Sequence, residues 1–367
     1  MSLSVGIVGL PNVGKSTLFN ALSSKQAEAA NYPFCTIDPN VGVVPVPDAR
    51  FEALVKLYDP DSRVAATVDF VDIAGLVRGA SKGEGRGNAF LSNIRECHAI
   101  AHVVRCFEDP NVVHVDGKVD PASDIETINT ELILRDLETV EKRVDRAQRV
   151  AKGGDADAKA IVNLGGRLIA AFNSGQRAIA VKPEDEREAK ALAEFELLTN
   201  KPMFYVANVK EEQLSKADGD PLVAKVRAVA EREGTSVDVI CAAIEAEIMQ
   251  LPDADRPDFL SSVGLTEPSL NHVIRTGYKA LDLITFFTAG KKEVRAWTIQ
   301  RGDKAPRAAG KIHTDFERGF IRAEVIWWED LVALGSEAAC RAQGKLGTEG
   351  KEYVVRDGDV IHFRFNV

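Results

Sequence analysis

One stretch constrains this chain more than any other: Gly9-Leu10-Pro11-Asn12-Val13-Gly14-Lys15-Ser16-Thr17. It spells G-x-x-x-x-G-K-[ST]. Residues 3–8 (Leu-Ser-Val-Gly-Ile-Val) before it read as a short buried strand, and Leu18-Phe19-Asn20-Ala21-Leu22 after it has helical spacing. Strand, loop and helix in that order make a phosphate cradle. The glycines let main-chain N–H groups turn inward around a β-phosphate, and the helix start adds its positive end. Lys15 brings a point charge to the β- and γ-phosphates, and Ser16 offers a hydroxyl to Mg2+. Asn12, Val13, Gly14, Lys15, Ser16 and Thr17 are therefore the expected phosphate contacts. An α/β fold opening on this loop is the expectation.

A second metal element should follow. Thr67-Val68-Asp69-Phe70-Val71-Asp72-Ile73-Ala74-Gly75 is a β-type run ending in Asp-x-x-Gly. Asp72 can hold the water shell of Mg2+, and the Gly75 N–H can sense a γ-phosphate. Between the two lies Asn31-Tyr32-Pro33-Phe34-Cys35-Thr36, where a first switch loop belongs, with Thr36 as the second hydroxyl for Mg2+. Loop lysine, switch threonine and Asp-x-x-Gly, in that order, are the plan of GTPase-type switch proteins. Leu76 stands where signalling GTPases place a water-orienting glutamine. Hydrolysis is then slow, or another group orients the water. Residues 79–87 hold four glycines, the composition of a second switch.

Base choice depends on the segment after the strand Met203-Phe204-Tyr205-Val206-Ala207. Guanine readers carry Asn-Lys-x-Asp there. This chain has Asn208-Val209-Lys210-Glu211. The lysine is replaced by Val209, and the clamp aspartate by the longer Glu211. Losing a paired polar clamp removes steep discrimination, so ATP is expected over GTP. A further strand, Asp238–Ala243, sits where the last base-contacting loop belongs, with Cys241 and Ala242 near the base.

The chain has 367 residues, enough for two to three domains. Its 45% hydrophobic and 28% charged residues exclude a disordered or fibrous chain. No run of about 18 apolar residues appears, and no membrane partner is expected. The opening lacks the basic and apolar regions of a secretory signal. Five cysteines form no C-x-x-C pair, as in a reducing compartment; a cytoplasmic location is expected. A net charge of −9 excludes nucleic-acid binding through the overall field. DNA is not an expected partner, and any RNA contact must be local.

From Gly75 to Asn208 is 133 residues, where a minimal path needs about 50. The excess falls at about 121–200. Ile133, Leu137, Val140, Val144 and Ala147 repeat at heptad spacing. Gly153-Gly154-Asp155 breaks that helix. A second helix near 157–173 puts Ile161, Leu164, Leu168 and Phe172 on one face, and a third starts after Pro183. This predicts a helical hairpin or short coiled coil, either a partner-docking arm or a stabilising flank. Pro252, Pro257 and Pro268 place a boundary near 278. Beyond it, β-type runs at Leu283–Thr288, Arg295–Ile299, Tyr353–Val355 and Val360–Phe365 suggest a small sheet with one helix. Residues 279–322 carry ten basic and five acidic residues, a local basic patch or a plain solvated face.

Tyr32-Pro33-Phe34-Cys35-Thr36 resembles the switch signature of the Obg group. With Leu76, the glycine-rich second switch and Asn208-x-x-Glu211, essentially the whole chain resembles the YchF subfamily of Obg-like ATPases. Cys35 is the one departure from the general Obg pattern, and this subfamily tolerates it. The resemblance implies a Mg2+-dependent ATPase on a GTPase-type fold (residues 1–278, interrupted by the helical insertion). It also implies a C-terminal TGS domain of β-grasp type (279–367) and binding to the ribosome, through the TGS domain and the helical arm. It implies that Asn12 can help bind K+; a loop-closing hydrogen bond is the alternative. Lys15 and Gly75 are the expected catalytic groups at the phosphates. His114 follows the strand Ile100–Phe107, at the crevice side of the sheet. It is either the group that orients water or a solvated loop histidine. His98 and His102 lack a third partner at useful spacing and read as structural. An Obg-type GTPase and a nucleotide-sensing adaptor with incidental hydrolysis are the rival functions.

Overall fold

The computed structural model describes residues 3–28, 40–73, 86–110, 112 and 117–366. Thr36, Gly75 and His114, with Cys35 and Leu76, lie outside the described residues. The chain divides into two compact units. One holds the chain up to Ser24 and Asp69–Gly277, and the other holds Val43–Val68 and the chain from Tyr278.

One sheet holds β1 (Ser4–Val8), β2 (Val41–Pro45), β4 (Thr67–Asp72), β5 (Ala99–Arg105), β6 (Met203–Asn208) and β7 (Val237–Ile240), β3 being Ser62–Val64 of the other sheet. The order is β2-β4-β1-β5-β6-β7. The β4/β1, β1/β5, β5/β6 and β6/β7 pairs are all parallel. A parallel sheet is covered on both faces, so its strands are apolar throughout; β5 and β6 are buried at every position. The order reverses beside β1. Ligands bind at such a switch point, beyond the strand C-termini.

The insertion folds as three helices, Pro121–Ala151, Ala156–Asn173 and Glu186–Phe195. They share a core of Ile133, Val140, Val144, Leu164, Leu168, Phe172 and Phe195. Each fully buried Leu or Phe there contributes roughly 1.5–3 kcal/mol. A Cβ at Gly165 would overlap Val144, so the glycine sets how closely the first two helices approach. Asp155 caps the second helix and Asp185 the third, each accepting from a first-turn N–H. The third helix, expected after Pro183, packs with the hairpin through Ala191 and Phe195. A buried Asp136 ties the first helix to the return segment, accepting from Leu198 N–H, Thr199 N–H and the Thr199 hydroxyl.

The second unit carries a mixed sheet of β8 (Leu283–Ala289), β9 (Glu293–Gln300), β10 (Phe320–Trp327), β11 (Leu346–Glu349) and β12 (Asp359–Phe365), ordered β11-β10-β12-β8-β9-β3. The helix Ala305–Ile312 buries Ala305, Ala308 and Ala309 against Ile284, Phe286, Ile299, Val325, Ile361 and Phe363. Two hairpins around a helix, with the last strand central, is the β-grasp arrangement. The expected strand at Tyr353–Val355 is instead a lone bridge, Lys304 to Val354. The single expected helix becomes four, with Thr314–Arg318, Trp328–Leu334 and Glu337–Ala342 added. Among the described residues no helix is long and apolar enough to cross a membrane, and the described cysteines are free and buried.

Candidate nucleotide-binding site

The loop after β1 turns through two left-handed residues, Asn12 (φ 63°) and Gly14 (φ 98°). At Gly14 a Cβ would run into the side chain of Asn208, so only glycine lets the loop pass. The helix Lys15–Glu28 starts immediately after, its first bond running from Leu18 N–H to the Gly14 carbonyl at 3.0 Å.

A pocket of about 520 Å³ opens there. One wall is the phosphate loop: Asn12, Gly14, Lys15, Ser16 and Thr17. A second is Asn208, Val209, Lys210 and Glu211, after β6. A third is Cys241 to Ile244, after β7, and a fourth is Phe107, Asp109 and Val112, after β5. Segments far apart in the chain thus meet, and the phosphate and base candidates line one cavity. Val13 is the exception: it is buried behind the loop rather than lining the pocket.

Lys15 is nearly buried, and burial lowers its pKa while the Asp72 charge opposes the change. Burial likewise raises the pKa of Asp72, opposed by Lys15. Asp72 Oδ1 is buried with no hydrogen-bond partner among the described residues. A buried carboxylate oxygen without a hydrogen-bond partner, within reach of the Lys15 charge, fits the water shell of a hydrated Mg2+. Ser16 would be a direct ligand there, and Asp72 would hold a metal-bound water.

Asn208 joins the base end to the phosphate end. It is buried, its Nδ2 donates to the Val13 carbonyl at 2.9 Å, and its Oδ1 accepts from Ala242 N–H at 3.0 Å. Both functions of the amide are spent on backbone. Asn208 therefore ties the phosphate loop to the loop after β7. Val209 is buried and donates its N–H to the Ile240 carbonyl at 2.8 Å. Glu211 begins a short helix, Glu211–Leu214, and is exposed at the pocket rim. Cys241 is buried and precedes the helix Ala242–Ile248, where the expected last strand ends early at Ile240.

Sequence reading missed Arg105. It is the last residue of β5 and almost wholly buried. Its guanidinium donates to the carbonyls of Phe107 (3.0 Å), Val112 (3.0 Å) and Asp109 (3.4 Å), and lies 4.7 Å from the Phe107 ring centre. Three of the pocket-lining residues are thereby pinned by one side chain. His102, three residues earlier in β5, has its pKa pushed down to about 3 by burial and the nearby Arg177 charge. Its ring packs on Tyr205 with centres 5.4 Å apart. A neutral ring buried in a sheet is structural.

Two family models match. The one described as YchF-GTPase_C, a protein of unknown function, covers residues 283–366, and the one described as 50S ribosome-binding GTPase covers residues 4–143. The chain is 55% identical to the Ribosome-binding ATPase YchF of Haemophilus ducreyi over 369 aligned positions, covering all of both. It is 54% identical to the protein of that name from Bacillus subtilis, again end to end. The chain belongs to the YchF family. A solved structure titled as the Schizosaccharomyces pombe YchF GTPase superposes with a TM-score of 0.88 at 38% identity, covering 99% of this chain and 98% of that one. The bacterial relatives are named for ATP and the fungal structure for GTP. In a YchF chain the base must therefore be argued from the pocket.

Proposed function

We propose that this chain is a Mg2+-dependent ATPase that hydrolyses ATP to ADP and phosphate and binds the ribosome as a translation-associated nucleotide switch. The observation that carries the base assignment is the wall formed by Asn208 to Glu211. The asparagine amide is committed to Val13 and Ala242, Val209 is buried, and Glu211 is displaced to the rim. The lysine position of a guanine clamp is held by Val209 and its aspartate position by Glu211, and the wall's lysine, Lys210, stands one residue later. The bacterial relatives' shared name supports ATP and the ribosome as partners. A ribosome partner in turn supports a cytoplasmic location.

Chemistry is in-line attack of water on the γ-phosphate. Bound Mg2+ would neutralise charge between the β- and γ-phosphates, held by Ser16 and Thr36 with Asp72 behind a water. Lys15 and the loop N–H groups stabilise the developing charge, and the Gly75 N–H meets the γ-phosphate. Asn12 is the candidate to hold K+ beside them. His114 is the candidate to orient water, because Leu76 cannot. His114→Ala is expected to cut turnover on the order of a hundredfold with ATP affinity intact; unchanged turnover in a single-turnover assay removes the role.

The proposed organisation is a nucleotide domain over 1–278 with the helical insertion at about 121–200, followed by a TGS domain over 279–367. The three-helix core and the break between Gly277 and Tyr278 support it.

Isothermal titration with ATP and GTP, in Mg2+ and K+, tests the assignment. ATP is expected to bind at least tenfold tighter, about 1.4 kcal/mol. Val209→Lys with Glu211→Asp is expected to move preference toward GTP. Tighter GTP binding by the natural chain would instead favour the Obg-type GTPase reading, which the fungal neighbour's title shares.

A further inference from the structure

The pairing of β10 with β12 sets Arg322 directly opposite Arg364, and Glu324 directly opposite His362. Alternation sends Ala323, Val325, Ile361 and Phe363 into the core behind the sheet. Arg322, Glu324, His362 and Arg364 therefore share the other face. Like charges facing each other across strands are unfavourable. Glu324 offsets the repulsion by bridging both, at 3.5 Å to Arg322 and 3.2 Å to Arg364. A third guanidinium, Arg341 of the helix Glu337–Ala342, reaches the same carboxylate at 3.7 Å. Glu324's side chain is 11% exposed, while those of Arg322, Arg341 and Arg364 are 52%, 64% and 49% exposed. The guanidinium charges hold Glu324 ionised, its pKa below the usual carboxylate range.

One anchored carboxylate thus bridges three half-exposed arginines, more cations than its own single charge balances. Closing a salt bridge needs one arginine. Three, drawn from two strands and a helix, keep donor forks turned to solvent. Planar forks match phosphate oxygens in pairs. The cluster also adjoins the basic stretch 279–322 of an otherwise acidic chain.

We propose that this face, carrying Arg322, Arg341 and Arg364 on Glu324, is a contact surface for the phosphodiester backbone of ribosomal RNA. The proposal rests on the ribosome-binding reading above. The surface carries no base readout of its own, so it supplies position and salt-dependent affinity.

The test uses the full chain, purified bacterial ribosomes and deproteinised large-subunit RNA, over a potassium chloride series from about 50 to about 300 mM. Arg341→Gln with Arg364→Gln leaves Glu324 paired with Arg322. This variant is expected to keep the parent's melting midpoint and basal ATPase. Its ribosome affinity should fall on the order of tenfold near 0.1 M salt, with the slope of log K against log salt about 1.5 to 2 shallower. Arg341→Gln alone should show about half that change. Parental affinity and slope in the double variant overturn the surface and leave the ribosome reading standing. A weakened variant whose parent ignores the deproteinised RNA points to an acidic protein partner and also overturns it. If the parent fails to pellet with ribosomes but shows arginine-dependent binding to the RNA, the ribosome reading falls and the surface stands.

Discussion

Asn208→Ala is expected to weaken ATP binding by tenfold or more, about 1.4 kcal/mol, and to lower the melting midpoint in the same protein. The amide stands between two backbone groups from distant parts of the chain, the Val13 carbonyl and the Ala242 N–H. Alanine orphans both in a buried place. Each orphan costs about 1–3 kcal/mol, so about 2–6 kcal/mol of local stability is lost. That loss falls where the phosphate loop and the base loop are held in register. Gly14 passes against the same amide, so the loop's left-handed turn loses its backstop. Asn208→Asp separates the two bonds. It keeps the acceptor toward Ala242 but sets a buried carboxylate against the Val13 carbonyl, and is expected to be at least as damaging. Titration and melting on both variants check this. Parental ATP affinity in Asn208→Ala would mean the two loops hold their places without the amide.

How much of this was legible in the sequence depends on whether the determining contacts are local. The phosphate loop is a contiguous motif, and β1, the loop and the helix after it follow from nine residues. The helices of the insertion follow from apolar spacing and from Gly153, Asp155 and Pro183. Their joining into a three-helix core does not, because it depends on Gly165 meeting Val144. In the second unit, Tyr353–Val355 has β-type residues, yet Val354 is 47% exposed and pairs only with Lys304. The strand at Phe320–Trp327 starts after Gly319 with one buried and then two exposed residues and a register shift between Phe320 and Arg322, so its alternation is broken where a strand signal should begin. β3 is three residues long, and its parallel partner β9 lies some 230 positions on; no local pattern encodes such a pairing. The same distinction runs through the site. Lys15, Ser16 and Asp72 are legible as chemistry. The amide of Asn208 is legible as a residue type, but its use on two backbone groups is a tertiary fact. Arg105 left no signal at all, since an arginine at a strand end reads as a solvated charge and its acceptors are main-chain carbonyls.

Arg105→Met is the second large expected effect. The guanidinium holds three carbonyls of residues 107–112, each by a bond from a charged donor. Bonds of that kind contribute about 1.5–3 kcal/mol each, and their loss leaves half-buried acceptors behind. Methionine fills much of the volume and supplies no donor, so packing is spared and the hydrogen bonds are isolated as the cause. Phe107, Asp109 and Val112 form one wall of the pocket, so a relaxed loop takes that wall out of register. Arg105 touches neither Lys15 nor Asp72 in its hydrogen bonds. Its loss should therefore raise KM for ATP roughly tenfold with kcat within about threefold, the signature of lost ground-state binding. Arg105→Lys keeps the charge but replaces the planar fork by a point donor, and should restore part of the affinity. A merely structural arginine would lower the melting midpoint and leave KM at the parental value. That result would remove the loop, and Arg105 with it, from the nucleotide site.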